Sequence, residues 1–287
     1  MNQLNLLIEL TRLKKPIGYM LLFWPCAWGL TLVYDLSNNI NVYFFYLLLF
    51  FLGSVLMRSA GCIVNDILDR KFDKQVARTK DRPIASGKIK ILTGLFYAAL
   101  LCTLAFLVLI NFNYFTILIA LASMPLAFTY PLMKRYTYWP QLFLGVTFNY
   151  GLILGWTSIS GNLNIIPIIF YFGAIFWTLG YDTIYGYQDI KDDEIIGLKS
   201  TSIKFKGTTK LFLIICYLIL IFSLTFGGYL MNFNLFYFLF LIIPIVQLFL
   251  YQIKTFDQNN PNICLKIFKS NNYFGLIVFL NILIGKI

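Results

Sequence analysis

Long apolar runs recur along the whole of this chain, and nothing else in the sequence restricts its folding so tightly. A span of the bilayer core needs about 20 apolar residues. Nine stretches approach that length: 16–34, 41–64, 91–110, 114–133, 139–157, 164–182, 209–230, 234–253 and 267–286. The remaining residues could not cover a water-soluble globule. Only 12% of the 287 residues are charged and 59% are hydrophobic, with a mean hydropathy of +0.76, whereas soluble domains carry about 25% charged residues. The expectation is an all-α, polytopic membrane protein forming one integral-membrane domain over 1–287. A soluble enzyme and a disulfide-rich secreted module are excluded.

The charges sort by loop. Of the 23 Lys and Arg, 21 lie before the first run or in the loops after the second, fourth, sixth and eighth runs; Arg58 and Lys286 are the other two. The alternate loops, 35–40, 111–113, 158–163 and 231–233, hold none. Basic residues stay on the cytoplasmic side of a membrane. The pattern therefore predicts an odd number of spans, a cytoplasmic N-terminus and a C-terminus on the far side. It also accounts for the net charge of +11 without nucleic acid. Arg12, Lys14 and Lys15 precede a first run long enough to remain as a span, so no signal peptide is expected, nor is there an Arg- and Ser-rich transit stretch. Cys26, Cys62, Cys102, Cys216 and Cys264 lie in or beside apolar runs and read as small buried hydrophobes.

The chemistry is narrowed by what is missing. With no histidine, Ser-His and Cys-His nucleophiles, His-ligated zinc or haem, and imidazole relays are all excluded. Nine of the twelve acidic residues fall in two of the basic loops. Asn65, Asp69 and Asp73 follow the second run at i, i+4 and i+8, with Asp66 beside them and Arg58 seven residues before Asn65. Asp182, Asp189 and Asp193 follow the sixth run at i, i+7 and i+11, with Tyr185 near the same stripe. Helices continuing the two runs would array each set on one face. One such ladder alone reads as a solvated helix end with local ion pairs. Two of matching design repel and call for a cation. Oxygen donors without His or Cys point to Mg²⁺, which is commonly held by carboxylates together with substrate phosphates. Bases accompany the acids, Arg70, Arg78 and Arg82 with the first set and Lys199 and Lys204 after the second; acid beside base at a membrane rim fits a Mg²⁺-bridged diphosphate on a lipid tail.

At these residues the chain resembles the UbiA family of membrane prenyltransferases. The signature N-D-x-x-D-x-x-x-D stands whole at 65–73, and Y-D-x-x-Y-x-x-x-D-x-x-x-D stands whole at 181–193. Segments 15–25, 58–87, 130–141, 181–205 and 271–280 look most like the branch that prenylates 4-hydroxybenzoate in ubiquinone biosynthesis. Lys191 stands where relatives often carry another Asp. The resemblance implies nine transmembrane helices around a central cavity, cytoplasmic cap loops over the site, and a bacterial inner membrane with the site facing the cytoplasm. It implies Mg²⁺ on Asp69, Asp73, Asp189 and Asp193, with Asn65, Asp66 and Asp182 assisting. The substrates would be polyprenyl diphosphate and 4-hydroxybenzoate, in a setting of membrane lipid and without an obligate protein partner. On that reading Arg58, Arg70 and Lys134 stabilise the leaving diphosphate, and Tyr130 and Tyr185 face the allylic cation. Arg135, or alternatively Arg12, would hold the acceptor's carboxylate. The rival readings are another acceptor within the family (the haem farnesyl or menaquinone-pathway type) and a cation or phosphate transporter. Transporters bind near the bilayer midplane, whereas these acids sit at span ends on one side.

Overall fold

The computed structural model describes residues 3–287. A short helix, α1 (Gln3–Thr11), precedes the first span, α2 (Ile17–Val33). The second span, α3 (Ile40–Leu68), is followed by the one-turn α4 (Arg70–Asp73) and the loop leading to α5 (Ile91–Leu109). Span four is segmented into α6 (Tyr114–Ala122), α7 (Met124–Thr129) and a 3₁₀ turn at Tyr130–Arg135. Then come α8 (Pro140–Ser160), α9 (Ile165–Gly186), the short α10 (Ile190–Ile196) and α11 (Thr201–Lys204), and α12 (Thr209–Leu230). Span eight is also segmented, as α13 (Leu235–Phe240), α14 (Ile242–Ile245) and a π-helical stretch at Val246–Ile253. The last span is α15 (Pro261–Gly285). Eight spans are long and apolar enough to cross a membrane, and α2, at 17 residues, is the shorter ninth. All nine apolar runs of the sequence are therefore helices, and the chain is a multi-pass membrane protein.

The loops without Lys or Arg share a local device. Asn39, Asn113, Asn164 and Asn234 each stand just before a span, and each side chain accepts a hydrogen bond from a first-turn backbone N–H. Asparagine is among the best residues for this capping, which satisfies helix donors that would otherwise be orphaned. These turns therefore start helices without charge.

α8, α9 and α12 form the inner wall, while α5 and the α6–α7 span are mostly exposed to lipid. α2 lies close against α8 because glycines line the crossing. A Cβ on Gly29 would meet the carbonyl oxygen of Leu152 at 2.0 Å, and one on Gly155 would meet that of Cys26 at 2.3 Å. First and last spans are stitched at several levels. The indole of Trp24 donates to Asn272 (2.9 Å), that of Trp28 to the carbonyl of Gly275 (2.9 Å), and Lys286 donates to the carbonyls of Thr31, Leu32 and Tyr34. Trp28, Trp177 and Phe274 fill the centre between α2, α9 and α15.

The two acid-bearing helices do not continue unbroken, as their spacing predicts. α3 ends at Leu68 and α9 at Gly186; Asp69 (φ −91°, ψ 3°) and Asp189 (φ −117°, ψ 5°) each form the joint to a following short helix. Both joints adopt the bridge region of backbone space, where active-site residues recur. The caps they lead into are fastened from below. The N–H of Lys199 donates to the carbonyl of Lys134 (2.8 Å), that of Thr201 to the Gln141 amide oxygen (3.0 Å), and the Ser202 hydroxyl to the carbonyl of Thr183 (2.7 Å).

Candidate active site

The first ladder is buried and densely paired. Asp69 has no solvent exposure. It accepts from Lys134 Nζ at 2.5 Å and from Arg135 Nη2 at 3.4 Å, both in the 3₁₀ turn that ends span four. The same Arg135 nitrogen donates to the carbonyl of Leu68 at 2.7 Å, the last residue before the joint. Asp66 pairs with Arg12 (2.5 Å) and Arg82 (3.2 Å), and Arg82 also grips Asp73 (2.9 Å). Arg82 reaches back because the loop from α4 is itself folded: the hydroxyl of Thr79 donates to the carbonyl of Asp73 at 3.0 Å. Three carboxylates thus face four cations. The Nε of Arg70 is buried without a partner.

The second ladder carries less positive charge. Asp189 pairs with Arg78, a residue of the first ladder's loop, and the N–H of Ala77 donates to Asp192 (3.2 Å). These bonds bring the two ladders to one rim. Asp182 and Asp193 make no ion pair among the described residues. Burial, with Asp189 and Asp192 adding to it, pushes the Asp193 carboxyl up to about 6 despite the pull of Lys134 and Arg78. Glu194 faces away, toward Lys206.

Arg58 sits deeper, between the ladders. Its guanidinium carbon is 5.3 Å from the ring centroid of Phe148, and its Nε is buried without a hydrogen-bond partner. It touches Gly18, where a Cβ would come within 2.8 Å of that Nε. The charges of Arg58 and Asp182 act on each other. Tyr130 lies in the same electrostatic neighbourhood. Tyr185 meets Arg78, whose Nη1 donates to the phenol oxygen at 3.2 Å; its ring also packs against Phe268 at 4.2 Å.

The residues singled out in the sequence therefore come together, though not all in the same contacts. Asp69 pairs with Lys134 and Arg135, while Asp66, Asp73 and Arg12 are joined through Arg82; Asp189 and Tyr185 share Arg78; Arg58 and Asp182 lie inside. Asn65, one turn before the joint, lends its carbonyl to the N–H of Asp69 (2.8 Å). Among the described residues, no three acids stand close enough to form a ready metal cage. Sequence reasoning counted Arg78 and Arg82 among the bases beside the first ladder without giving either a role of its own, and it did not single out Phe268 or Gly18. Arg78 and Arg82 are two of eight bases in one loop, and spacing alone does not separate them.

The site is thus two acid ladders joined at one rim of an integral-membrane helix bundle, beneath a loop rich in bases. Residues 22–282 match the sequence profile of the UbiA prenyltransferase family. The chain belongs to that family. It is 43% identical to 4-hydroxybenzoate geranyltransferase 2 of Lithospermum erythrorhizon, over 97% of this chain and 90% of that one. It is 44% identical to the mitochondrial 4-hydroxybenzoate polyprenyltransferase of Bos taurus, over 98% of this chain and 75% of that one. The fold is shared with a UbiA homolog from Aeropyrum pernix K1 in its apo form, with a TM-score of 0.72 at 20% identity over 94% of this chain and 97% of that one. It is likewise shared with a UbiA homolog from Archaeoglobus fulgidus bound to GPP and Mg²⁺, with a TM-score of 0.69 at 18% identity over 98% of each chain.

Proposed function

We propose that the chain transfers a polyprenyl group from polyprenyl diphosphate to the ring carbon ortho to the hydroxyl of 4-hydroxybenzoate, releasing diphosphate, in ubiquinone biosynthesis. The observation that carries this reading is the convergence of two aspartate ladders and their bases at one membrane rim, in a chain over 40% identical to enzymes named for that acceptor.

The donor set fits Mg²⁺. It is oxygen-only, and in the second ladder Asp182 and Asp193 make no ion pair among the described residues, while Asp189 has Arg78. Asp189 and Asp193 would hold the metal together with Asp69 and Asp73, assisted by Asn65, Asp66 and Asp182. A metal held by these residues would supply charge neutralisation of the diphosphate, making it a competent leaving group. Arg70, whose buried Nε has no partner, binds the diphosphate and stabilises the charge that grows on it, while Arg78, Arg82 and Lys134 hold the acids they pair with around it. Tyr185 and Tyr130 turn aromatic surface toward the allylic carbon, which attracts a developing cation. The cap excludes water that would otherwise capture it.

Acceptor binding is better explained by Arg58 than by Arg135 or Arg12. The last two are committed to Asp69, Leu68 and Asp66, while Arg58 makes no ion pair among the described residues. A guanidinium matches a carboxylate in a two-pronged fork, so Arg58 orients the acid end of 4-hydroxybenzoate. Asp182, within Arg58's field, takes the ring proton when aromaticity returns. No covalent enzyme intermediate is required. The prenyl tail lies along apolar helix faces open to lipid, among some of the 29 Phe and 19 Tyr. The basic loops support a site on the cytoplasmic side of the membrane, and we read that membrane as a bacterial inner one.

Purified protein in lipid with Mg²⁺, a polyprenyl diphosphate and 4-hydroxybenzoate should yield the prenylated acid by mass spectrometry. Prenylation of a different acceptor with 4-hydroxybenzoate left untouched would reject the substrate; ion transport in liposomes without turnover would reject the enzyme.

A further inference from the structure

Trp177, Tyr181 and Tyr185 stand four residues apart on α9, so the helix stacks them on one face. α15 lays two rings against that row. Phe274 meets Trp177 at 5.2 Å between centroids, and Phe268 meets both Tyr181 (5.8 Å) and Tyr185 (4.2 Å). Phe268 therefore spans the last step of an aromatic seam that ends at the acid rim. Tyr185 is held a second time by Arg78, from the cap loop.

The turn that carries Phe268 is pinned by a buried amide. Asn271 has no solvent exposure. Its Nδ2 donates to the carbonyls of Ile267 (3.1 Å) and Phe268 (3.3 Å). Its Oδ1 accepts from the indole of Trp177 (2.8 Å) and from Gln252 Nε2 (3.1 Å). Gln252 belongs to the π-helical stretch and also accepts from the hydroxyl of Tyr217 (2.7 Å). π turns are rare and gather at functional sites, and a fully bonded buried amide fixes one arrangement of its neighbours. The network sets the register of α15 on α9, and with it the contact of Phe268 on Tyr185. A ring that merely filled space against lipid would need no such anchorage.

We infer that Phe268 is a positioning residue for prenyl transfer: by packing on Tyr185 it holds that ring toward the allylic carbon, so that the acceptor rather than water captures the cation. The inference rests on the role given to Tyr185 above. In the competing step the C–O bond to diphosphate breaks, a water oxygen bonds to the allylic carbon, its proton goes to solvent, and free polyprenol leaves. The ratio of polyprenol to prenylated 4-hydroxybenzoate reads positioning. Unlike a rate, it does not change with the amount of folded protein.

The test compares wild type, Phe268→Leu, Phe268→Tyr, Tyr185→Leu and the Leu/Leu double variant, each in lipid with Mg²⁺, polyprenyl diphosphate and 4-hydroxybenzoate. Phe268→Leu should raise the ratio by about two- to tenfold, the span of aromatic pair energies. Phe268→Tyr should restore it, and Phe268→Leu should add nothing once Tyr185 is Leu. A shift with Tyr185→Leu but none with Phe268→Leu overturns the inference and leaves the role of Tyr185 standing. Independent, additive shifts do the same. No shift with Tyr185→Leu removes both. Should Phe268→Leu fail to accumulate, Phe268→Met carries the same expectation.

Discussion

The two acid ladders share a backbone plan and differ in charge balance. In each, a span stops at an aspartate in the bridge region and a short helix follows. Yet Asp66, Asp69 and Asp73 are met by Arg12, Arg82, Lys134 and Arg135, whereas Asp189 has Arg78 and Asp193 has no ion pair among the described residues. The first ladder is already compensated and ties together α1, the cap loop and the end of span four. The second keeps half-buried negative charge in reserve. Similar motifs thus bring different things to one shared metal: the first is also tied into the rim by its bases, and the second carries carboxylates that lack ion pairs.

Removing a ladder acid should have the largest effect and should not distinguish the two. Asp69→Ala and Asp193→Ala should each lower turnover on the order of 100- to 1,000-fold, measured as initial rates on protein verified to be inserted. Near-normal rates in both would sink the shared metal role. The arginine between the ladders sharpens the comparison next. Arg58→Ala should raise the acceptor KM by about 10- to 100-fold, the worth of a charged hydrogen-bonded contact, with the polyprenyl diphosphate KM little changed. Arg135→Ala, which loosens the first ladder, should do the reverse; identical KM patterns would show that no acceptor pocket separate from the ladders exists.

Stability should then separate the ladders. In chelator, Asp69→Asn strands Lys134 and should cost about 1–3 kcal/mol, seen as a lower Tm. Asp193→Asn relieves a half-buried carboxylate that has no ion pair among the described residues, and should leave Tm equal or higher. A loss of equal size in both would erase the distinction. The same contrast has a pH signature. A carboxyl raised to about 6 is neutral in the folded protein at pH 5 and charged at pH 8, so its contribution to stability is present at low pH and lost as pH rises through 6. The Tm advantage of Asp193→Asn over wild type should therefore be greatest at pH 8, shrink as pH falls through 6, and vanish only below about pH 4, where the unfolded carboxyl is protonated too. Smallest of all, Gly18→Ala presses on Arg58 and should raise the acceptor KM by about two- to threefold, without moving the other KM.

All nine spans were legible in the sequence because apolar length is a local property that needs no tertiary partner. Their ends were less so. α15 begins at Pro261, not near 267, because Asn260 caps it and Pro261 opens the first turn; hydropathy does not register a capping residue. The acids of the site were legible from spacing and resemblance. The breaks at Asp69 and Asp189 were not, since Asp69 is bound by Lys134 and Arg135, 65 and 66 residues away, and Asp189 by Arg78, 111 residues away. The seam of Phe268 and Tyr185 was hidden for another reason: in a chain with 18% aromatic residues, a ring that matters looks like every other.

The stitching of the first span to the last has a consequence for traffic. Two indole bonds at mid-depth and an ammonium clasping three carbonyls at the end weld α2 to α15. That joint fastens the two ends of the chain to each other. A long isoprenoid sliding in sideways must enter elsewhere, and a fusion attached directly after Ile287 would pry at the clasp.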